Sequence, residues 1–230
     1  MDQNAKLRNL LFGSVIALLL SSIALAIVHP VKPVKALQPG VNMPVVGLEM
    51  AWTTAEVWDI IGDPQTDAGQ EARRAFALGT WLDFGYIFFY SVAYLFLNLL
   101  LISRHSAGRS WIVLSATVIA VTAFGDIMEN RSIFRILDSG TQSLAAEHVD
   151  ALVVFTRLKW LFLGVNGLPA AVLLRREGKR GLSFILTAAF AFGALGVLKQ
   201  YAIELMTIFL AFFWAYLIVK LLPLKNRWWS

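Results

Sequence analysis

The stretch LSFILTAAFAFGALGVLKQYAIELMTIFLAFFWAYLIVKLL, residues 182–222, decides the fold. As one helix it would be about 60 Å long, at roughly 1.5 Å per residue. That is about twice the hydrocarbon thickness of a bilayer. Lys199, Gln200 and Glu204 interrupt the apolar run near its middle. The stretch therefore reads as two short antiparallel membrane helices with a tight turn around residues 199–204.

Composition agrees with that reading. Of the 230 residues, 58% are hydrophobic and only 15% charged, with mean hydropathy +0.66. Soluble domains run nearer 45–50% apolar and about 25% charged. Too little chain lies outside the apolar runs for a soluble catalytic domain. With no Cys, thiolate metal sites, Fe–S clusters and cysteine catalysis are excluded. Three His residues leave little room for a haem or di-metal centre, and no cofactor is expected. A hard cation such as Mg²⁺ held by carboxylates is the one metal reading left open.

Working outward gives an all-α, polytopic transmembrane helical bundle of about six spans in a single membrane domain. They cover about residues 9–28, 80–103, 111–130, 151–174, 182–198 and 204–222. The first reads as an uncleaved anchor, although Ala24-Leu25-Ala26 has the small-x-small form of a signal-peptidase site. With the N-terminus inside, Lys6, Arg8, Arg104, Arg109, the bases at 175–180, Lys220, Lys225 and Arg227 all fall on one side. Of the fifteen acids, only Asp2 and Glu177 join them. Lys and Arg concentrate in cytoplasmic loops, so both termini are expected in the cytoplasm, at a bacterial inner membrane. The net charge of +5 then reports topology and contact with anionic lipids, and implies no nucleic-acid partner. The oligomeric state is not legible.

The outer segment, residues 29–78, opens as a linker with Pro30, Pro33, Pro39 and Gly40. Thr53-Thr54-Ala55-Glu56 is a capping box, predicting a short interfacial helix that stops at Gly62. Trp52 and Trp58 suit a bilayer interface. The segment over residues 49–61 reads as a lid, and Glu49 and Asp59 read as solvent-facing.

Charges inside membrane helices are costly and usually face a bundle interior. Asp83 starts a helical stripe that continues through Tyr86, Tyr90, Tyr94 and Asn98. The stripe either lines a site or only bonds helix to helix. Asp126, Glu129 and Asn130 stand at i, i+3 and i+4 and share one face. Lys159 lies on a stripe with Thr156 and Asn166, while Arg157 points elsewhere, toward the outer interface. A Lys so placed must find an acid, snorkel or lose its proton; the acids at similar depth are Asp83, Asp126, Glu129 and Glu204. If the turn near residue 200 is at the surface, Glu204 and Tyr201 are simply solvated.

The combination Ala72-Arg73-Arg74, Leu82-Asp83-Phe84, Asp126-x-x-Glu129-Asn130 and Lys159-Trp160 resembles a group of uncharacterised bacterial multi-pass membrane proteins, over about residues 45–170. The resemblance implies that Asp83, Asp126, Glu129, Asn130 and Lys159 form one unit, and it carries no activity with it. In architecture alone the helices are loosely similar to sterol-isomerase-type membrane proteins.

The functional expectation is an outer-leaflet pocket for an amphiphilic or lipid-like ligand. Asp126 and Glu129 would act as acid and base, Asp83 would orient the ligand, and Lys159 would offset negative charge. Asn130, Tyr86, Tyr90, Tyr94, Asn166, Glu204 and Trp58 would line the pocket. Two alternatives stand beside it: a membrane-complex subunit or assembly factor whose charges lock helices together, and a proton-coupled transporter.

Overall fold

The computed structural model describes residues 3–222, so Asp2, Lys225 and Arg227 lie outside the described residues. Within them the chain is all-helical: α1 (Gln3–Val28), α2 (Pro44–Glu49), α3 (Thr54–Ile61), α4 (Asp67–Arg104), α5 (Arg109–Asp138), α6 (Gln142–Arg176), α7 (Arg180–Gly196) and α8 (Tyr201–Leu221). Five of these, α1, α4, α5, α6 and α8, are long and apolar enough to cross a membrane. With 17 residues, α7 is apolar but shorter, at the lower limit of about 17 residues for a span. The long apolar run divides as its polar interruption dictates: α7 ends at Gly196 and α8 begins at Tyr201.

The six long elements form a ring. Chain neighbours from α4 to α8 pack extensively in succession, and α1 packs along α4. Only α1 and α8, which close the ring, meet over a small patch.

Three helices outrun the bilayer. At about 1.5 Å per residue, α4 and α6 exceed 50 Å, with 38 and 35 residues. Their surplus projects with the C-terminal part of α5 at the end where α2 and α3 lie, called here the cap end. There α3 packs on α4 and α6, and a second apolar core forms from residues including Trp58, Ile61, Phe76, Ile133, Ile136 and Val149. This part departs from the sequence reading. α4 starts within the segment read as non-membrane, and α5 continues past residue 131 to Asp138. Trp58 is 7% exposed, packed inside the cap with the Arg73 guanidinium 4.9 Å above its ring. A purely interfacial tryptophan would face lipid and water instead.

Local chemistry sets the cap. Thr53 Oγ1 accepts from Glu56 N at 3.2 Å while Thr53 N donates to the Glu56 carboxylate at 3.1 Å, completing the capping box. Gly62 then ends α3 at φ +75°, a conformation that favours glycine. Arg73 donates to the carbonyls of Ile136, Leu137 and Ser139 at the C-terminus of α5, and to Gly62. Carbonyls left open at a helix end are thereby satisfied by a buried cation.

The linker is pinned as well. Val34 N and Lys35 N donate to Ile60 and Asp59 carbonyls. Glu204, in the first turn of α8, accepts from Asn42 N, Asn42 Nδ2 and Met43 N at 2.6, 2.9 and 2.8 Å. Gln200 Nε2 donates to Met50 O at 2.7 Å, so the α7–α8 turn docks on α2. Glu204 is accordingly buried rather than solvated, because the linker folds back over the turn.

Gly125 brings α5 against α6. A Cβ there would lie 3.1 Å from Lys159 N and 3.4 Å from both Lys159 Cα and Phe155 O. Gly125→Leu is expected to push these helices apart and cost roughly 1–3 kcal/mol. Thermal unfolding in detergent checks this; an unchanged midpoint would contradict the packing.

Candidate functional site

Four elements converge on the ammonium of Lys159. Asp126, Glu129 and Asn130 share the face of α5 that Gly125 presses against α6, and Lys159 projects from α6 into it. Lys159 Nζ lies 2.5 Å from Glu129 Oε1, 3.1 Å from Glu49 Oε2 and 3.4 Å from Asp126 Oδ1. Tyr90 of α4 donates to Asp126 Oδ2 at 3.1 Å. One helical turn nearer the cap, Asp83 Oδ2 accepts from Asn130 Nδ2 at 2.8 Å. Trp160 Nε1 donates to Glu49 Oε2 at 3.1 Å.

Beside this network lies a cavity of about 470 Å³, within the usual range of about 300–1,000 Å³ for small-molecule sites. Its polar wall carries Glu49, Asp83, Asp126, Asn130 and Lys159, with Tyr86 and Trp160 next to them. The opposite wall is apolar: Leu18, Leu19 and Leu25 of α1, and Ile208, Leu210 and Ala211 of α8. These two helices are the pair that meets only sparsely, and their residues Ile208 and Ala211 are exposed. The cavity therefore has a charged side and an apolar side, the latter built by the sparsely packed pair α1 and α8.

The residues singled out by sequence separate into three groups. Asp83, Tyr86, Asp126, Asn130 and Lys159 line the cavity. Glu129, fully buried, stands behind Lys159 and off the wall, and Tyr90 is likewise buried and reaches the wall only through Asp126. The remaining four lie outside the lining. Tyr94 packs edge-on against Trp214, ring centroids 4.9 Å apart. Asn166 donates to Thr122 Oγ1 at 2.8 Å, about two turns beyond Lys159. Glu204 holds the linker and Trp58 belongs to the cap core. Arg157 places its guanidinium 3.5 Å from the Trp52 ring centroid and donates to Val153 O, away from the cavity.

Glu49 is the main correction. Read from sequence as solvent-facing, its side chain is 12% exposed and contacts Lys159 and Trp160. A signal was present: no charge falls between Lys35 and Glu49, and Val45, Val46, Leu48 and Met50 surround it. An acid isolated in such a run belongs inside. His29 was also missed; it lines the cavity, with its ring 5.8 Å from that of Phe76. Burial, helped by the charge of Lys159, pushes the His29 imidazole down to about 4, so it is neutral at neutral pH.

A hard cation does not fit the geometry. The ammonium of Lys159 already occupies the point on which the carboxylates converge, and among the described residues no group of three His, Cys, Asp or Glu is arranged to hold a metal. Compared with family models, curated proteins and solved structures, the chain matches none.

Removing one member of a buried ion pair strands the other in a medium of low dielectric constant, at about 3–5 kcal/mol. Lys159→Met is expected to destabilise by about that much, and Lys159→Met with Glu129→Met to recover part of it, since Glu49 and Asp126 stay without their countercharge. Unfolding midpoints in detergent measure both, and a double variant no better than the single would contradict the pairing. For His29 the sign follows from its lowered folded-state value. Below the unfolded value of 6.5 the unfolded chain binds the extra proton first, so stability is lost as pH falls toward 4. His29→Asn should lose less stability than wild type between pH 6.5 and 4; parallel profiles would contradict it.

Proposed function

We propose that the chain is an integral membrane protein whose cavity, in the outer leaflet, binds an amphiphilic, lipid-like ligand. What carries the reading is the two-sided cavity: carboxylates, an ammonium and an amide in its polar lining, leucines and isoleucine in its apolar lining, which comes from the sparsely packed helices α1 and α8. A polar headgroup under the cap and a hydrocarbon tail leaving sideways into lipid satisfy both walls. The end opposite the cap carries Lys6, Arg8, Arg104, Arg109, Arg175, Arg176, Lys179, Arg180 and Lys220 against one described acid, Glu177, and the positive-inside rule supports a cap that faces outward.

The reading extends to acid/base chemistry on the headgroup. Asp126, on the cavity wall and held by Tyr90, is the group positioned to exchange a proton with the ligand, with Asp83 beside it. Glu129 does not reach the cavity; its part is to fix Lys159, whose charge offsets negative charge developing on the ligand. Asp126→Asn would then retain the ligand and stop its conversion.

A charge lock is the rival, favoured by the three carboxylates that Lys159 engages across α2, α5 and α6. It expects Glu129→Lys combined with Lys159→Glu to restore both folding and function, whereas a working site tolerates no such exchange.

Native mass spectrometry of protein purified in mild detergent tests the binding reading. Wild type is expected to retain an amphiphile at near one per chain, and Ala211→Trp, which fills the mouth from α8, to lose it while keeping its unfolding midpoint. Wild type carrying no amphiphile, or equal retention by the variant, would overturn the reading.

A further inference from the structure

The headgroup class can be read from which charges are already engaged. Among the described residues, Lys159 is the one basic side chain with its charge on the cavity wall, since His29 is neutral there. Its ammonium is claimed by Glu129, Glu49 and Asp126. Arg73 and Arg157 are turned to backbone carbonyls and tryptophan faces outside the lining. A phosphate or carboxylate headgroup would therefore meet Glu49, Asp83 and Asp126 with no free cation to receive it.

Acceptors, in contrast, are left over. Asp83 takes a single hydrogen bond, from the Asn130 amide, and no base lies within ion-pair distance of it. Asp83 lines the cavity, and among the described residues no donor reaches its second oxygen. Asp126 is 2% exposed and lines the cavity; its Oδ1 accepts no hydrogen bond and has only the Lys159 ammonium, 3.4 Å away and shared with Glu129 and Glu49. Four carboxylates from α2, α4 and α5 gather here, and the one ammonium contacts three of them. A buried carboxylate needs a donor or a countercharge, and here the chain supplies too few. The rings of Tyr86, Phe76 and Trp214 border the same space, and aromatic faces attract cations.

Resting on the amphiphile-binding reading above, we infer that the ligand is a cationic amphiphile: a single ammonium headgroup seated between Asp83 and Asp126, with its hydrocarbon tail along Leu18, Leu19 and Ile208 toward the gap between α1 and α8. A primary ammonium brings three N–H donors, enough to reach the undonated oxygen of Asp83 and the Asp126 oxygen that accepts no hydrogen bond. Such charge-assisted bonds are the strong ones.

Three probes of one chain length separate the headgroup from the tail: dodecylamine, dodecanol and dodecyl phosphate, titrated against the full chain in an uncharged detergent and read by native mass spectrometry. Wild type is expected to take dodecylamine at least about tenfold more tightly than dodecanol, and dodecyl phosphate more weakly than either. Asp83→Asn keeps an oxygen for Asn130 but removes the charge, and should shrink the amine preference to about threefold or less. Dodecyl phosphate or dodecanol binding as well as the amine would overturn the ammonium assignment and leave the amphiphile reading standing, as would a full amine preference in Asp83→Asn. Failure of all three probes to bind would overturn both. Should Asp83→Asn not fold, the wild-type ranking decides alone.

Discussion

The structure depends on one desolvated cation. An isolated ammonium inside a membrane bundle is costly enough that it persists only with partners. Lys159 finds three, on α5 and on α2. Because α2 is not a membrane span, the contact with Glu49 ties the cap to the bundle interior, and the Trp160 bond to the same carboxylate reinforces it. A buried ion pair of this kind is weak evidence for net stability. It is stronger evidence of specificity, since any helix shift would leave several charges without partners at once.

The cap and the ring serve that constraint differently. α4, α5 and α6 continue past the bilayer and carry a second apolar core with α3, so the ionic network lies under protein rather than at a water-filled mouth. Arg73 and Glu204 keep the roof in place, one on helix-end carbonyls and the other on the linker's N–H groups. The ring, meanwhile, packs extensively from α1 through α4 to α8 and is loosest where α8 meets α1. The charged wall is held by the tight part, and the apolar wall faces the loose part.

Much of this was legible in the sequence, for identifiable reasons. The polar interruption at residues 199–204 placed the α7–α8 turn because no single helix of that length fits a bilayer. The spacing of Asp126, Glu129 and Asn130 placed them on one face because helical periodicity leaves no alternative. The capping box at Thr53 fixed the start of α3. What stayed illegible was long-range. Periodicity cannot tell that Glu49 turns inward, because α2 is too short to show a pattern and its burial depends on α6. Nor does it separate Asp126 on the wall from Glu129 behind it, or Tyr86 from Tyr94 on one stripe, since helix rotation and packing decide which side chain meets the void. The cap was missed because the extra turns of α4, α5 and α6 are polar in composition, and polar helices beyond a membrane read like loops.

The central claim, that carboxylates from separate elements surround Lys159 within the bundle, is tested most directly in lipid bilayers by solid-state NMR. Carbon–nitrogen distances would be measured between the lysine side-chain ¹⁵N and the ¹³C-labelled carboxyl carbons of Asp and Glu. The account expects one lysine signal, absent in Lys159→Arg, with strong couplings to both a Glu and an Asp carboxyl carbon at ion-pair contact. A Lys159 signal coupled to no carboxyl carbon would contradict it.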